Sequence, residues 1–309
     1  MFRFEQFESD LAAHGIACRL HEPMRLHTTF RIGGEADCFV MPSTEEEIAW
    51  LCRTCREREI PLFLMGNGSN LLVADEGVRG CVLSLGKNFS KIEVSGDTLT
   101  AQSGALLSVL SRTAADHALT GLEFASGIPG TVGGAVFMNA GAYGGELCDV
   151  TVAVRVLNAL TGVISEIPAA DAGFAYRTSR FQQEPDTVIL GAQFRLSRGE
   201  TASIRETMAG YAAGRREKQP LEFPSAGSTF KRPNGMFAAA MIDACGLKGV
   251  SVGAAQVSMK HAGFLVNRGG ATARDMRALI SLVQARVFDR YGVQLEPEIR
   301  FVGGYDETE

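Results

Sequence analysis

The chain has 309 residues, 46% of them hydrophobic, and its 30 Lys and Arg against 35 Asp and Glu leave a formal net charge of -5. That is length for about two domains of roughly 150 residues with ordinary cores, and the charge excludes the basic field a nucleic-acid partner requires. No apolar run approaches the roughly 18 residues of a membrane span, and residues 1–5 lack a signal peptide's apolar stretch, so a soluble cytoplasmic protein without membrane insertion is expected. Seven cysteines, an odd number among apolar neighbours, read as buried thiols in a reducing compartment rather than a disulfide framework.

In chain order, Ser43-Thr44-Glu45-Glu46-Glu47 carries a capping-box pattern and predicts a helix that ends before Pro61. Its stripe of Ile48, Leu51, Cys52 and Cys55 turns the Cys-x-x-Cys pair toward core packing, and the five histidines show no metal-ligand spacing, so no metal is expected. Leu62-Phe63-Leu64-Met65 reads as a buried strand running through Gly66-Asn67-Gly68-Ser69-Asn70 into a second strand at Leu71-Leu72-Val73. A strand follows this loop where a dinucleotide fingerprint demands a helix, Leu71 replaces the third glycine, and no P-loop pattern occurs.

Short strands are predicted at 81–85, 92–94 and 99–103, then a helix over 106–117 with Leu106, Leu110 and Ala114 on one face. After a glycine-rich loop, strands at 152–158, 162–167 and 188–196 form a meander, and a helix spans 201–216. Pro220 and Pro224 forbid regular structure and mark a domain boundary. Beyond it come a helix at 236–244, strands at 256–258 and 264–266, and a long helix capped at Thr272 with Met276, Leu279, Ile280, Val283 and Val287 on one stripe. A strand at 298–302 and a polar tail close a chain of α+β class.

The run from Gly127 to Gly144 contains Gly127, Pro129, Gly130, Thr131, Gly133, Gly134, Asn139 and Ala140 and no Lys, Arg, Asp or Glu. Glycines let peptide N-H groups approach an anion closely, so a phosphate here would be held by peptide dipoles and the Thr131 hydroxyl. Such clusters also make plain surface loops; Ile128, Val132, Val136, Phe137 and Met138 between the glycines favour a packed, ligand-facing segment. With Gly66, Asn67, Gly68, Ser69 and Asn70 about sixty residues earlier, two loops suggest one diphosphate gripped from two sides.

Three later motifs, Tyr176-Arg177-Thr178-Ser179-Arg180-Phe181, Ser225-Ala226-Gly227-Ser228-Thr229-Phe230-Lys231-Arg232-Pro233 and Leu295-Glu296-Pro297-Glu298-Ile299-Arg300-Phe301-Val302-Gly303, make a resemblance specific. From about Thr28 to Gly303 the chain resembles the UDP-N-acetylenolpyruvoylglucosamine reductases, flavoenzymes of peptidoglycan precursor synthesis. The resemblance implies an FAD-binding domain of the vanillyl-alcohol-oxidase-like (PCMH) type over 1–215, in two lobes of roughly 1–90 and 91–215. A smaller C-terminal α/β substrate-binding domain would cover 216–309. It also implies non-covalent FAD, NADPH as hydride donor, a UDP-sugar enolpyruvate ether as substrate, and a monomer. Another flavoenzyme of that superfamily would keep both glycine loops without all three later motifs, and an inactive nucleotide-binding relative would lose Arg177, Ser228 or Glu298.

On the same resemblance, Arg177 is the active-site arginine, whose guanidinium fork suits a substrate carboxylate or the charge growing on it. Ser228 is the proton donor, with Lys218 or a water restoring its proton, and Glu298 is the third catalytic group. A charged Glu298 would oppose enolate formation, so it is expected protonated or compensated by Arg177. Lys218 falls at the substrate diphosphate, and Arg232 and His261, which depart from the family's asparagine and glutamine, are read as further substrate contacts. From residue type alone the commoner readings are a surface arginine, a turn or helix-cap serine, a strand-edge glutamate and an exposed lysine. No inserted tyrosine loop lies between Arg177 and Ser228, where Tyr211 is the only tyrosine, so the chain resembles the shorter subclass.

Overall fold

A computed structural model describes residues 4–233 and 235–304. Among them the α-helices are α1 (Phe4–Ala13), α2 (Glu45–Glu57), α3 (Leu107–Asp116), α4 (Val132–Met138), α5 (Thr201–Lys218), α6 (Ala238–Ala244) and α7 (Ala273–Tyr291). The chain divides into two compact units that are not contiguous in sequence. The first takes the segment up to Leu20, Cys38–Asn67 and Gly80–Gly214; the second takes His21–Asp37, Gly68–Arg79 and the chain from Arg215 on.

The first unit has two apolar clusters. In one, Phe7 and Leu11 of α1 and Ile48, Leu51 and Cys55 of α2 pack with Cys38, Val40, Cys81 and Leu83. These strand residues belong to a four-stranded sheet with spatial order Ala17–Pro23, Glu35–Met41, Val78–Ser84, Leu62–Met65. The start of α2 is set locally: the Thr44 hydroxyl accepts the Glu47 N-H at 3.1 Å, and Glu47 accepts the Ser43 N-H at 2.6 Å, so two otherwise orphaned donors are satisfied. Burial pushes the Cys52 thiol up to about 12. The neighbouring thiols of Cys38 and Cys55, and then burial, push Cys81 well above its ordinary value, which makes these packed rather than reactive sulfurs.

The second cluster lies on a five-stranded antiparallel sheet ordered Ile164–Pro168, Thr151–Asn158, Thr187–Arg195, Thr98–Gln102, Ile92–Ser95. Leu107, Leu110 and Ala114 of α3 and Val132 and Val136 of α4 pack on its Leu99, Val154 and Phe194. The glycine-rich run is therefore not loop throughout: α4 forms in spite of Gly133 and Gly134. Gly133 is required by proximity, since a Cβ there would sit 2.7 Å from that of Ser103.

In the second unit, α7 is capped as its sequence predicts. Thr272 and Asp275 exchange side-chain-to-backbone bonds, and Gly292 ends the helix in the left-handed region at φ 66°. Its buried stripe, Met276, Leu279, Ile280, Val283 and Val287, packs with Met241 and Ile242 of α6 and with Phe30, Ile32 and Leu72 from early in the chain. Residues 21–37 and 68–79 join this unit because their apolar side chains have their core here. Leu71–Val73 pairs in parallel with Arg300–Val302, Ala74 donates to the Val302 carbonyl at 2.8 Å, and Asn267 Nδ2 donates to the Phe30 carbonyl at 3.0 Å. Ser251–Val252, Ala255–Val257 and Leu265–Asn267 form the small antiparallel sheet beside α7.

Candidate functional site

In the first unit the two glycine loops meet. Asn67 Nδ2 donates to the Pro129 carbonyl at 2.6 Å, and a Cβ on Gly66 would lie 2.2 Å from Thr131 Oγ1. Leu107 donates to the Gly130 carbonyl at 3.0 Å, Val132 to Ala105 at 2.8 Å and Gly133 to Ser103 at 2.8 Å, so the run that starts α4 is stitched to the start of α3. Thr131 stands at the N-cap of α4 without capping it, and its hydroxyl and that of Ser103 are buried with no hydrogen-bond partner. Two orphaned hydroxyls beside glycines that tolerate no side chain suit the oxygens of a phosphate or diphosphate. Ser103 was not among the residues expected at this site; its place after a strand and before Gly104 is the only sequence signal for it.

The other end of α4 departs from the expected pattern. Asn139 is wholly buried and left-handed at φ 42°. Its Nδ2 donates to Glu146 Oε2 at 2.9 Å and to the Ala175 carbonyl at 3.1 Å, while Oδ1 accepts the Cys148 N-H at 3.0 Å. The Ala140 N-H and carbonyl are likewise bonded, to Ala135 and Leu147. Through these bonds the two residues tie the end of α4 to residues 146–148 and to Ala175.

Arg177, half-buried, occupies a four-residue turn closed by two 3.1 Å bonds between Ala175 and Thr178. Its φ of 55° is a conformation that costs a non-glycine residue about 1–2 kcal/mol and is concentrated at functional sites. The guanidinium donates to the Gly141 carbonyl at 3.0 Å and lies 5.1 Å from the Tyr176 ring centre. Tyr211 on α5 stacks on Tyr143 at 4.1 Å, and Tyr143 Oη donates to its carbonyl at 2.9 Å, so that tyrosine is spent within the unit.

In the second unit, Ser228 and Glu298 lie on neighbouring segments. Ser228 bridges Phe264 and Phe230 bridges Pro297, and the Glu298 N-H donates to the Thr229 carbonyl at 2.8 Å. Ser228 is exposed and Glu298 half-buried, while Thr229 between the bridges is fully buried and its Oγ1 accepts the Leu265 N-H at 3.3 Å. Asn70 Nδ2 donates to the Glu298 carbonyl at 3.0 Å, and the Arg300 N-H donates to Asn70 at 2.9 Å. Asn70, expected at a cofactor, thus also holds the segment that carries Glu298. Gly68 also belongs to this unit, its carbonyl accepting the Thr29 N-H at 3.2 Å; Ser69 lies half-buried next to it.

His261 is edge-on to Phe264 at 5.0 Å, and its Nδ1 accepts the Gly263 N-H at 3.2 Å. Burial, and then the charge of Lys248, lowers its pKa below the ordinary histidine value, so the ring is neutral there. Lys218 is exposed in the last turn of α5. Arg232, also exposed, lies over the Phe237 ring at 4.7 Å, and the adjacent Lys231 pairs with Glu296. Ser228, His261 and Glu298 thus lie on adjoining short segments with the buried Thr229 and Phe264 between them, and hydroxyl, imidazole and carboxyl types are available.

Residues 36–167 match the family model described as an FAD binding domain, and 219–302 the C-terminal domain of UDP-N-acetylenolpyruvoylglucosamine reductase. A UDP-N-acetylenolpyruvoylglucosamine reductase of Syntrophomonas wolfei is 47% identical over 92% of this chain and 95% of its own length. That of Exiguobacterium sibiricum is 48% identical over 93% of each chain. The crystal structure of UDP-N-acetylenolpyruvylglucosamine reductase from Thermus caldophilus superposes with a TM-score of 0.79 at 35% identity, covering 93% of this chain and 98% of that one.

Proposed function

Because the chain belongs to the UDP-N-acetylenolpyruvoylglucosamine reductase family, we propose that it reduces UDP-N-acetylglucosamine enolpyruvate to UDP-N-acetylmuramate, with bound FAD and with NADPH as donor, for peptidoglycan synthesis. The observation that carries the flavin part is the pair of buried, unpartnered hydroxyls of Thr131 and Ser103 among glycines with no room for a side chain. FAD, when bound, supplies the hydride that reduces the enolpyruvyl double bond.

Gly66, Asn67, Gly68, Ser69, Gly127, Pro129, Gly130, Thr131, Gly133 and Gly134, with Ser103, would hold the flavin's diphosphate through backbone groups and hydroxyls. Arg177 orients the substrate carboxylate and steadies the charge that grows on it; its strained turn and its bond to Gly141 hold the fork before substrate arrives. Ser228 donates the proton that completes the reduced side chain, and its bridge to Phe264 fixes its backbone. Glu298, carried on the segment that Asn70 and Thr229 hold in register, is the third catalytic group. Lys218 binds the sugar nucleotide's diphosphate as a point charge, and Arg232 and His261 supply polar contacts. We also take the enzyme to be a cytoplasmic monomer; among the described residues no helix is long and apolar enough to cross a membrane.

Anaerobic stopped-flow at the flavin absorbance band tests this reading. NADPH should bleach the protein and UDP-N-acetylglucosamine enolpyruvate should restore the colour rapidly. Bleaching without recovery would leave a flavoprotein with another acceptor, and the roles given to Ser228 and Glu298 would fall.

A further inference from the structure

We propose that Asn139 is a positioning residue for Arg177, tying the glycine-rich helix to the turn that carries the guanidinium; this rests on the reading of Arg177 as the group that faces substrate. A left-handed residue after a helix is ordinarily a plain cap, and glycine serves there best. Asn139 does more, because its fully buried carboxamide is spent on three partners from two segments, Glu146 and Cys148 on one and Ala175 on the other. One of them, the Ala175 carbonyl, is the first residue of the turn in which Arg177 is held at positive φ.

The same two segments are joined at three more places. Ser179 Oγ and Gln182 Nε2 both donate to the Phe137 carbonyl, at 2.8 and 2.9 Å, and Gln182 Nε2 also reaches the Arg177 carbonyl at 3.1 Å. The guanidinium in turn donates to Gly141, two residues beyond Asn139. Residues 137–141 therefore locate the Arg177 backbone and its charged end together. A strained turn left to itself relaxes to a commoner conformation, so a side chain that holds it acts on turnover without touching a ligand.

The test is a cycle of Asn139→Gly, Arg177→Ala and the double variant. Glycine accepts the left-handed backbone, so N139G keeps the cap and removes only the carboxamide. Expected for N139G are a kcat lower by about 10- to 100-fold, since small misplacements cost that much, with FAD affinity by fluorescence titration near wild type and a lowered thermal midpoint from the lost buried hydrogen bonds. In the R177A background the same change should cost nothing further, as for two residues acting through one interaction. Multiplying losses in the double variant, or a fall in FAD affinity that parallels the fall in kcat, would overturn the proposal. Full turnover by R177A alone would instead strike at the catalytic reading of Arg177, and the proposal would go with it. Should N139G fail to fold, Asn139→Asp with Glu146→Gln keeps the acceptor for Cys148 and loses the donor to Ala175. The same kcat loss is expected there, and wild-type kcat would overturn the assignment.

Discussion

The glycine loops of the first unit and the polar segments of the second present their proposed functional groups by opposite means. In the first, the glycine loops offer backbone and two hydroxyls without a charged side chain, and the site exists only because Gly66, Thr131, Gly133 and Ser103 approach within the reach of a methyl group. In the second, Ser228, Glu298, Lys218, Arg232 and His261 are side chains on short strands, turns and a helix end, with Thr229 and Asn70 beneath holding the register. A backbone site is as good as the fold around it, whereas a side-chain site can lose one group and remain a folded surface. Substitutions in the glycine loops should therefore register in cofactor affinity, and those among the polar side chains of the second unit in chemistry.

The largest contrast is expected from Ser228→Ala. Loss of a positioned general acid should lower kcat about 10²- to 10⁴-fold while FAD affinity and the thermal midpoint stay at wild-type values. Parallel flavin titration and steady-state kinetics check this, and weaker FAD binding in the variant would blur the division between the units.

Thr131→Val probes the other side with a smaller effect. Because the hydroxyl has no partner in the protein, its removal should leave the FAD-free protein as stable or more so, yet weaken FAD by about one hydrogen bond, on the order of tenfold. Thermal melts without and with FAD should diverge in opposite directions; a destabilised FAD-free variant would mean that the hydroxyl has a structural role.

Asn70→Ala sharpens the comparison where the cofactor expectation and the structure part. Losing the bond to the Glu298 carbonyl should cost about 1 kcal/mol of stability in urea and reduce kcat before it affects FAD affinity. A selective loss of FAD would return Asn70 to the cofactor loop.

The smallest effect is a pH dependence at His261. Its folded pKa lies below its unfolded value of about 6.5, so above that pH its contribution to stability is intact. As pH falls through 6.5 the unfolded chain takes up the proton first, and the contribution is gone once pH drops through the folded pKa. Protonation also removes the Nδ1 lone pair that accepts the Gly263 N-H. Melts across pH 5 to 8 should show a slope in wild type that is reduced in His261→Asn; equal slopes would locate the titration elsewhere.

Much of this organisation was legible from local chemistry. The cap at Thr44, the cap and stripe of α7 and the buried face of α2 are written in residues close together in the chain, and the structure has each of them. The meander was legible too, because its strands are short runs rich in Val, Ile and Leu that are bounded by turn residues. Helix α4 was not, since Gly133 and Gly134 mimic a loop when Ser103 is not known to lie against them.

The sequence by itself determined most element types from residue 43 on, the two glycine loops and, through its three later motifs, the family, because these depend on residue identity and short spacing; α1, the strands Ala17–Pro23 and Glu35–Met41, and α4 were not among them. Only the tertiary structure decided which elements share a core. Leu71–Val73 follows directly on a strand of the first unit, yet its ladder partner is Arg300–Val302, because Leu72 finds its apolar neighbours on α7 rather than beside the strand that precedes it. Tertiary structure alone also decided which segments the asparagines of the glycine loops tie together. Asn67, Asn70 and Asn139 read alike in a glycine-rich context, and each carboxamide has a partner elsewhere in the chain that only the fold brings near.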